Sequence, residues 1–344
     1  MIMVDKKYIL AVWVLLCALV LSLCVGVYML PQDNDAEQSN EEPVENTSLL
    51  TEKSQDVIRV LAAGRDRASG LYDVIMLVSF DRADKTASVL QIPRDTYFEY
   101  TDKAYKKING AVSSLGGVRE FCNLLGSALG LKIDAYISFD LDTLAQVVDA
   151  IGGVEIELPE AMRYSDPYQN LYINLPAGKQ VLDGKTAEKF VRFRSGYLRG
   201  DIGRLDAQKL FMAAFFKKCR YSLTLSDVEG LISIMLPKVK TDLGFFQLLS
   251  LASDAMSIDG SSLCFVTAPG EDIVSSVSGA WYYVLSAEGM RRLTSELLGS
   301  EDSFDENGLF LNEKNDDAVR IYRKNIEYKT FIADDINQNG VKID

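Results

Sequence analysis

A chain of 344 residues with 48% hydrophobic and 25% charged residues can bury one large core or two smaller ones and is not disordered along its length. Its 36 basic residues face 49 acidic ones, a net charge of −13, which excludes a protein whose main task is to neutralise nucleic-acid phosphates. No histidine occurs, so imidazole bases, serine–histidine hydrolysis and histidine-ligated zinc are excluded together, and proton transfer falls to carboxylates, lysines or tyrosines. The cysteines Cys17, Cys24, Cys122, Cys219 and Cys264 have no C-x-x-C spacing and define neither a zinc site nor a disulfide framework.

Residues 1–7 carry Lys6 and Lys7 and precede the uncharged stretch Tyr8 to Leu30, which as a helix of about 34 Å crosses a bilayer. The stretch is longer than the apolar part of a cleavable signal peptide and reads as an uncleaved transmembrane anchor, with residues 1–7 in the cytoplasm by the positive-inside bias. Residues 31–55 are acidic and nearly free of large apolar side chains, the composition of a solvated stalk. Everything downstream is then expected outside the membrane. From 56 to 300, short β-branched apolar runs alternate with helical stretches, the pattern of a single α/β domain with a mixed sheet. The spacing predicts strands at 57–63, 74–80, 87–92, 135–139, 154–158 and 263–267. It predicts helices at 117–129, 141–151, 185–190 and 287–298, and a long amphipathic helix at 204–219. Ser226-x-x-Glu229 has the form of a capping box opening a further helix. Residues 301–344, rich in Asp, Asn and Glu, are expected to form a polar, loosely attached tail.

With histidine gone, chemistry is sought among acids and arginines at strand ends, where ligands of α/β sheets bind. Asp66 follows the first strand and Asp73 opens the second, so the two carboxylates either share a hard cation such as Mg²⁺ or serve as a turn residue and an edge charge. Ile92-Pro93-Arg94-Asp95 ends the third strand, and Arg94 either grips a phosphate with its planar fork or pairs with Asp95. Lys107 and Asn109 add polar groups just before a helix, in what is otherwise an ordinary loop. Lys189, Arg192, Arg194, Arg199, Arg204 and Lys209 invert the acidic balance of the chain locally, against only Asp201 and Asp206. The period of two in Val-Arg-Phe-Arg puts Arg192 and Arg194 on one face of an extended segment. Arg204 lies at the start of the long helix, where backbone N–H groups also favour anions. Asp201 is either part of that site or a helix cap.

These residues resemble the LytR-CpsA-Psr family of bacterial cell-envelope glycopolymer transferases, over roughly Val57 to Leu298. The matching stretches are the loop ending at Asp66, Asp-Val-Ile-Met-Leu-Val-Ser from Asp73, Ile-Pro-Arg-Asp-Thr from Ile92, Lys-Ile-Asn from Lys107 and Asp-Ala-Ile-Gly-Gly-Val-Glu from Asp149. The most specific is Val-Arg-Phe-Arg at 191–194, followed by Gly-Asp-Ile-Gly-Arg at 200–204 and Gln208. The resemblance implies an α/β/α sandwich with an apolar cavity for a polyprenyl chain. It implies transfer of a glycopolymer, such as teichoic acid or capsule, from a polyprenyl-diphosphate donor to a peptidoglycan acceptor at the outer face of the bacterial cytoplasmic membrane. Asp66 and Asp73 would hold Mg²⁺ or alternatively Mn²⁺, and Arg94, Arg192, Arg194 and Arg204 would bind the diphosphate. Lys107, Asn109, Asp201 and Gln208 would complete the site, with Asp73, Asp201 or bulk water taking the acceptor's proton. The chain departs from the family pattern in the short loop from Asp66 to Asp73, in Ser195-Gly196-Tyr197-Leu198, which lacks the usual histidine and acids, and in the tail. A prenyl-diphosphate hydrolase and a non-catalytic sensor of lipid-linked wall intermediates are the alternatives.

Overall fold

The computed structural model describes residues 57–335 except positions 68, 101–105, 159–160, 167–170, 193–200, 301–303 and 306, so the anchor and stalk expected at 8–30 and 31–55 lie outside the described residues. Among the described residues no helix is long and apolar enough to cross a membrane. Three strands come first, β1 (Val57–Arg65), β2 (Tyr72–Asp81) and β3 (Thr86–Gln91). Helices α1 (Ile108–Ser114) and α2 (Val118–Leu129) lead to β4 (Ala135–Asp140) and α3 (Leu141–Ala150). An antiparallel excursion follows, in which β5 (Val154–Leu158) pairs with β8 (Gly178–Leu182), and β6 (Met162–Asp166) pairs with β7 (Leu171–Leu175). The second half carries α4 (Gly184–Arg192), α5 (Asp201–Ser222), α6 (Leu225–Met235), the short β9 (Lys240–Thr241), α7 (Phe245–Ser257) and β10 (Leu263–Thr267). A hairpin of β11 (Gly270–Val274) and β12 (Trp281–Leu285), then α8 (Ala287–Leu298), α9 (Asp316–Tyr322) and β13 (Thr330–Ile332), complete the domain.

The central sheet has the order β13-β10-β3-β2-β1-β4-β9. It is mixed, because β1 runs parallel to β4 and β3 parallel to β10 while the other neighbours are antiparallel. Alternate residues of a strand face opposite sides, so a sheet covered on both faces needs apolar residues at every position. Leu61, Ala63, Leu77 and Leu90 pack against α1, α2 and α8 on one side, while Val60, Ala62, Val78 and Val89 pack against the layer α3 to α7 on the other. The continuous apolar runs of the sequence are this two-sided burial. Arg59 ties the sheet to α8: its guanidinium donates to the Leu298 carbonyl at 2.6 and 2.9 Å and to that of Gly299 at 3.1 Å, placing a cation at the helix C-terminus.

The Asp-Ala-Ile-Gly-Gly-Val motif is a structural joint. Gly152 and Gly153 take φ of 76° and 87° to turn α3 into β5, and Asp149 accepts a hydrogen bond from the Gly184 N–H at 2.7 Å where α4 begins. A Cβ at Gly184 would lie 1.8 Å from the Ala145 carbonyl oxygen, so only glycine permits this approach of α3 and α4.

Several sequence expectations are corrected. Val191 and Arg192 belong to the last turn of α4 rather than to an extended segment, because Ala187, Phe190 and Val191 bury one side of a helix. The long helix α5 is buried around most of its circumference, with Ala213, Ala214, Phe215 and Phe216 all inside, and is not a one-faced amphipathic helix. The capping box at the start of α6 is formed by Thr224 and Asp227, two residues upstream of the expected pair: Asp227 accepts from the Thr224 N–H at 2.8 Å and donates its own N–H to Thr224 Oγ1 at 3.3 Å. The described part of the tail, up to residue 335, is built into the domain. β13 adds the edge strand beside β10, and Phe304 and Phe310 stack with ring centroids 5.4 Å apart inside the α1–α2–α8 layer. Asp305 caps this turn through the N–H groups of Leu309 and Phe310, at 2.5 and 2.9 Å.

Two stability outcomes follow. Phe310→Ala empties a fully buried site and is expected to cost about 3–5 kcal/mol, read as a lowered midpoint in denaturant unfolding. Asp254 on α7 has its carboxyl pushed up to about 6 by burial, against the pull of Arg82. Because the folded-state value lies above the unfolded one, this group favours the fold below about pH 4, and that contribution is lost as pH rises through 6. Asp254→Asn is therefore expected to stabilise the domain by about 1 kcal/mol at pH 7, after discounting for partial exposure, with the gain vanishing near pH 4 in parallel denaturant titrations.

Candidate active site at the carboxyl end of the sheet

The strand register gathers the polar residues at one edge. Arg65 at the end of β1 stands beside Asp140 at the end of β4, and Gln91 at the end of β3 stands beside Thr267 at the end of β10. Antiparallel β2 begins at this same edge. Gly64 pairs with Val74 and Arg65 with Tyr72, so Asp73 is the extra residue of a β-bulge, the device by which a strand re-aims one side chain. Asp66 opens the tight connection, its N–H donating to the Leu71 carbonyl at 2.9 Å and its carboxylate accepting from the Ser69 hydroxyl at 3.0 Å.

Past β3, Pro93 ends the ladder and Arg94 turns toward the bulge, where its Nη1 donates to Asp73 Oδ1 at 2.6 Å. Its Nε lies 3.7 Å from Asp95 Oδ2, and Lys107 Nζ donates to Asp95 Oδ1 at 2.7 Å. Two carboxylates thus hold two cations in a row whose side chains are 17–26% exposed, half-sunk yet open to a ligand. The backbone fixes this row from both sides. The N–H groups of Ile108 and Asn109 donate to the carbonyls of Thr96 and Arg94, while those of Tyr97 and Tyr283 link the loop to β12 through the carbonyls of Tyr283 and Asp95. Asn109 is buried in α1, where its N–H makes this contact.

Helix α5 runs antiparallel to β10. Its far end meets the turn before β10, where Arg220 donates to the Ile258 carbonyl at 2.9 Å, while Asp206 and Lys209 line one cleft with Thr267 and Ala268. The first turns of α5, with Asp201, Arg204 and Gln208, are thereby brought to the carboxyl edge. Arg204 and Gln208 are buried, and Gln208 Nε2 donates to the Val191 carbonyl at 3.2 Å, clamping the end of α4 that bears Arg192. Arg194 lies outside the described residues, as do the side chains of Arg192 and Asp201.

Sequence reasoning missed the contribution of the β11–β12 hairpin, although the β-prone run Trp-Tyr-Tyr-Val-Leu signals its second strand. It also passed over Gln91, fully buried at the end of β3 with no hydrogen-bond partner for its amide among the described residues. Asp66 and Asp73 offer oxygen donors only, the chemistry of a Mg²⁺ site that is completed by substrate phosphate and water. No group of three or more acids or cysteines that could hold a metal occurs among the described residues.

Residues 24–298 match the model of the LytR_cpsA_psr family. The chain belongs to this family. The polyisoprenyl-teichoic acid–peptidoglycan teichoic acid transferase TagU of Oceanobacillus iheyensis is 29% identical over 255 residues, covering 72% of this chain and 77% of that protein. The crystal structure of Bacillus subtilis TagV shares the fold with a TM-score of 0.62 at 24% identity, over 73% of this chain and 99% of TagV. A structure of TagT bound to LIIa-WTA aligns with a TM-score of 0.58 at 25% identity, over 72% of this chain and 93% of TagT. The LytR_cpsA_psr match spans every candidate residue from Asp66 to Gln208 and ends at Leu298, before the segment that supplies β13.

Proposed function

We propose that the chain is a phosphotransferase that takes a glycopolymer from a polyprenyl-diphosphate carrier and joins it to a peptidoglycan hydroxyl through a phosphodiester. The observation that carries this reading is Arg94, set at the end of β3 between Asp73 and Asp95 with Lys107 alongside, in a chain of this family. The printed activity of TagU supports the transfer, and the TagT complex with LIIa-WTA supports a lipid-linked donor.

In the proposed reaction the acceptor oxygen forms a bond to the phosphorus that carries the glycan. The bond from that phosphorus to the bridging oxygen breaks, polyprenyl phosphate leaves with the electron pair, and the hydroxyl proton passes to a carboxylate or to water. Arg94 and Lys107 bind the phosphate oxygens, with Arg192, Arg194 and Arg204 closing from the α4–α5 side, so that charge building on the leaving phosphate meets donors already in place. Asp73 and Asp95 position the two cations before substrate arrives. Asp66 and Asp73 would also hold Mg²⁺, which when bound neutralises diphosphate charge. Gln208 and Asn109 are positioning residues, acting through the backbone of α4 and of the Arg94 loop. Residues 8–30 anchor the domain to the outer face of the cytoplasmic membrane, where the lipid carrier is held.

The test uses the full chain in nanodiscs with a synthetic polyprenyl-diphosphate glycan, Mg²⁺ and peptidoglycan oligomers, with glycan attachment followed by mass spectrometry. Arg94→Ala is expected to lower attachment by about a hundredfold or more, without a change in circular dichroism. Lys107→Ala is expected to lower kcat/KM by about tenfold, the loss of one charge-assisted hydrogen bond. Arg292→Ala on the exposed face of α8, where Arg292 faces Glu296, is expected to stay within about twofold of wild type. Equal loss at Arg94 and Arg292 refutes the site; prenyl phosphate released without attachment favours the hydrolase, and donor binding without turnover favours the sensor.

A further inference from the structure

Beside the Arg94 row lies a cleft of about 410 Å³ at the carboxyl end of β10. It is close to the candidate site by direct bonding. Ala268 in its wall donates its N–H to the Gln91 carbonyl at 2.9 Å, and Tyr283, also in its wall, donates its N–H to the carbonyl of Asp95, the neighbour of Arg94. One side is α5, where Lys209 is buried, bonded to Asp206 at 2.7 Å and set 4.3 Å from the centroid of the Phe331 ring. A second wall is the strap 326–331 that leads into β13 and meets α5 through Phe331, with Tyr328 half-buried and Glu327 exposed. At the floor the Thr267 hydroxyl oxygen is buried with no hydrogen-bond partner among the described residues.

The lining differs from the Arg94 row, where two cations balance two carboxylates. Asp206 is paired with Lys209 and Glu271 with Lys324, so the excess of acid in the cleft comes from Asp272 and Glu327 against Lys329. Carboxylates accept hydrogen bonds from hydroxyl groups and repel phosphates, while the Tyr328 ring offers an apolar face to the C–H side of a sugar, Phe331 being covered on one face by Lys209. A polyanionic donor is disfavoured here and a hydroxyl-rich, phosphate-free glycan is favoured. Resting on the transferase reading above, we infer that this cleft seats the acceptor glycan, beside the donor's phosphates at Arg94 and Lys107. The strap 326–331 lies beyond the family match ending at Leu298, so this wall is contributed by the chain's C-terminal segment.

The test uses the full chain in nanodiscs with Tyr328→Ala and Glu327→Lys, both outside the Arg94 row, and with melting temperature as a check on folding. Two quantities are read. The first is the Kd for a phosphate-free muramic-acid-containing glycan oligomer without donor; the second is the separate KM values for acceptor and donor during transfer. Each variant is expected to raise the acceptor Kd and KM by about tenfold while the donor KM stays within about twofold, the loss of one or two hydrogen-bonding or ring contacts. An unchanged acceptor Kd and KM, or an equal rise in the donor KM, overturns the cleft assignment. The binding arm needs no turnover: weakened acceptor binding in a chain that transfers nothing counts against the transferase reading alone. Transfer that continues with unaltered acceptor affinity counts against the cleft alone.

Discussion

A sheet buried on both faces can present charge only at its ends, and the placement of this chain's polar chemistry depends on that constraint. The interior positions of β1, β2 and β3 are packed on one side by α1, α2 and α8 and on the other by α3 to α7. A carboxylate or guanidinium in the middle of such a strand would be desolvated without compensation. The bulge at Asp73 resolves the conflict locally, because one extra residue at the start of β2 lets an acid leave the ladder just where Arg94 arrives from β3.

On the proposed function, the ion pairs at this edge serve a ligand as much as stability. Partly exposed pairs contribute little to folding, typically about 1 kcal/mol or less, so the Asp73–Arg94 and Asp95–Lys107 contacts are weak reasons for the fold to exist. Their physical value is in fixing two cations on a backbone already pinned by α1 and β12. A flexible arginine would lose side-chain entropy when phosphate bound; one held by Asp73 has lost it beforehand.

How far the sequence was legible follows from the same packing logic. The strands of the central sheet were visible because two-sided burial writes unbroken apolar runs, and Asp66, Asp73 and Arg94 were visible because they interrupt those runs at the ends. The β6–β7 pair was not visible: Met162-Arg-Tyr-Ser-Asp has no apolar alternation to betray a strand. The last turn of α4 was misread because Val-Arg-Phe-Arg has a period of two as well as apolar positions that suit a helix, and only the packing of Phe190 and Val191 beside α5 decides between them. The C-terminal segment looked like a tail because its acids dominate its composition. Its aromatics, among them Phe304, Phe310 and Phe331, do the anchoring, and Asp305 turns inward to cap the chain between Phe304 and Phe310.

The net charge of −13 and the basic row are compatible because screening makes electrostatics local. At physiological ionic strength the Debye length is about 8 Å, so exposed acids farther away barely oppose an anion at Arg94. Within that distance the decisive groups are those on the same strand ends, and neighbouring strands are only about 4.8 Å apart. In the proposed arrangement the donor's phosphates at Arg94 and Lys107 and the acceptor in the cleft lined by Asp272 and Glu327 would meet along this one edge, and these local groups, not the overall charge of the chain, would set where the reacting phosphorus lies.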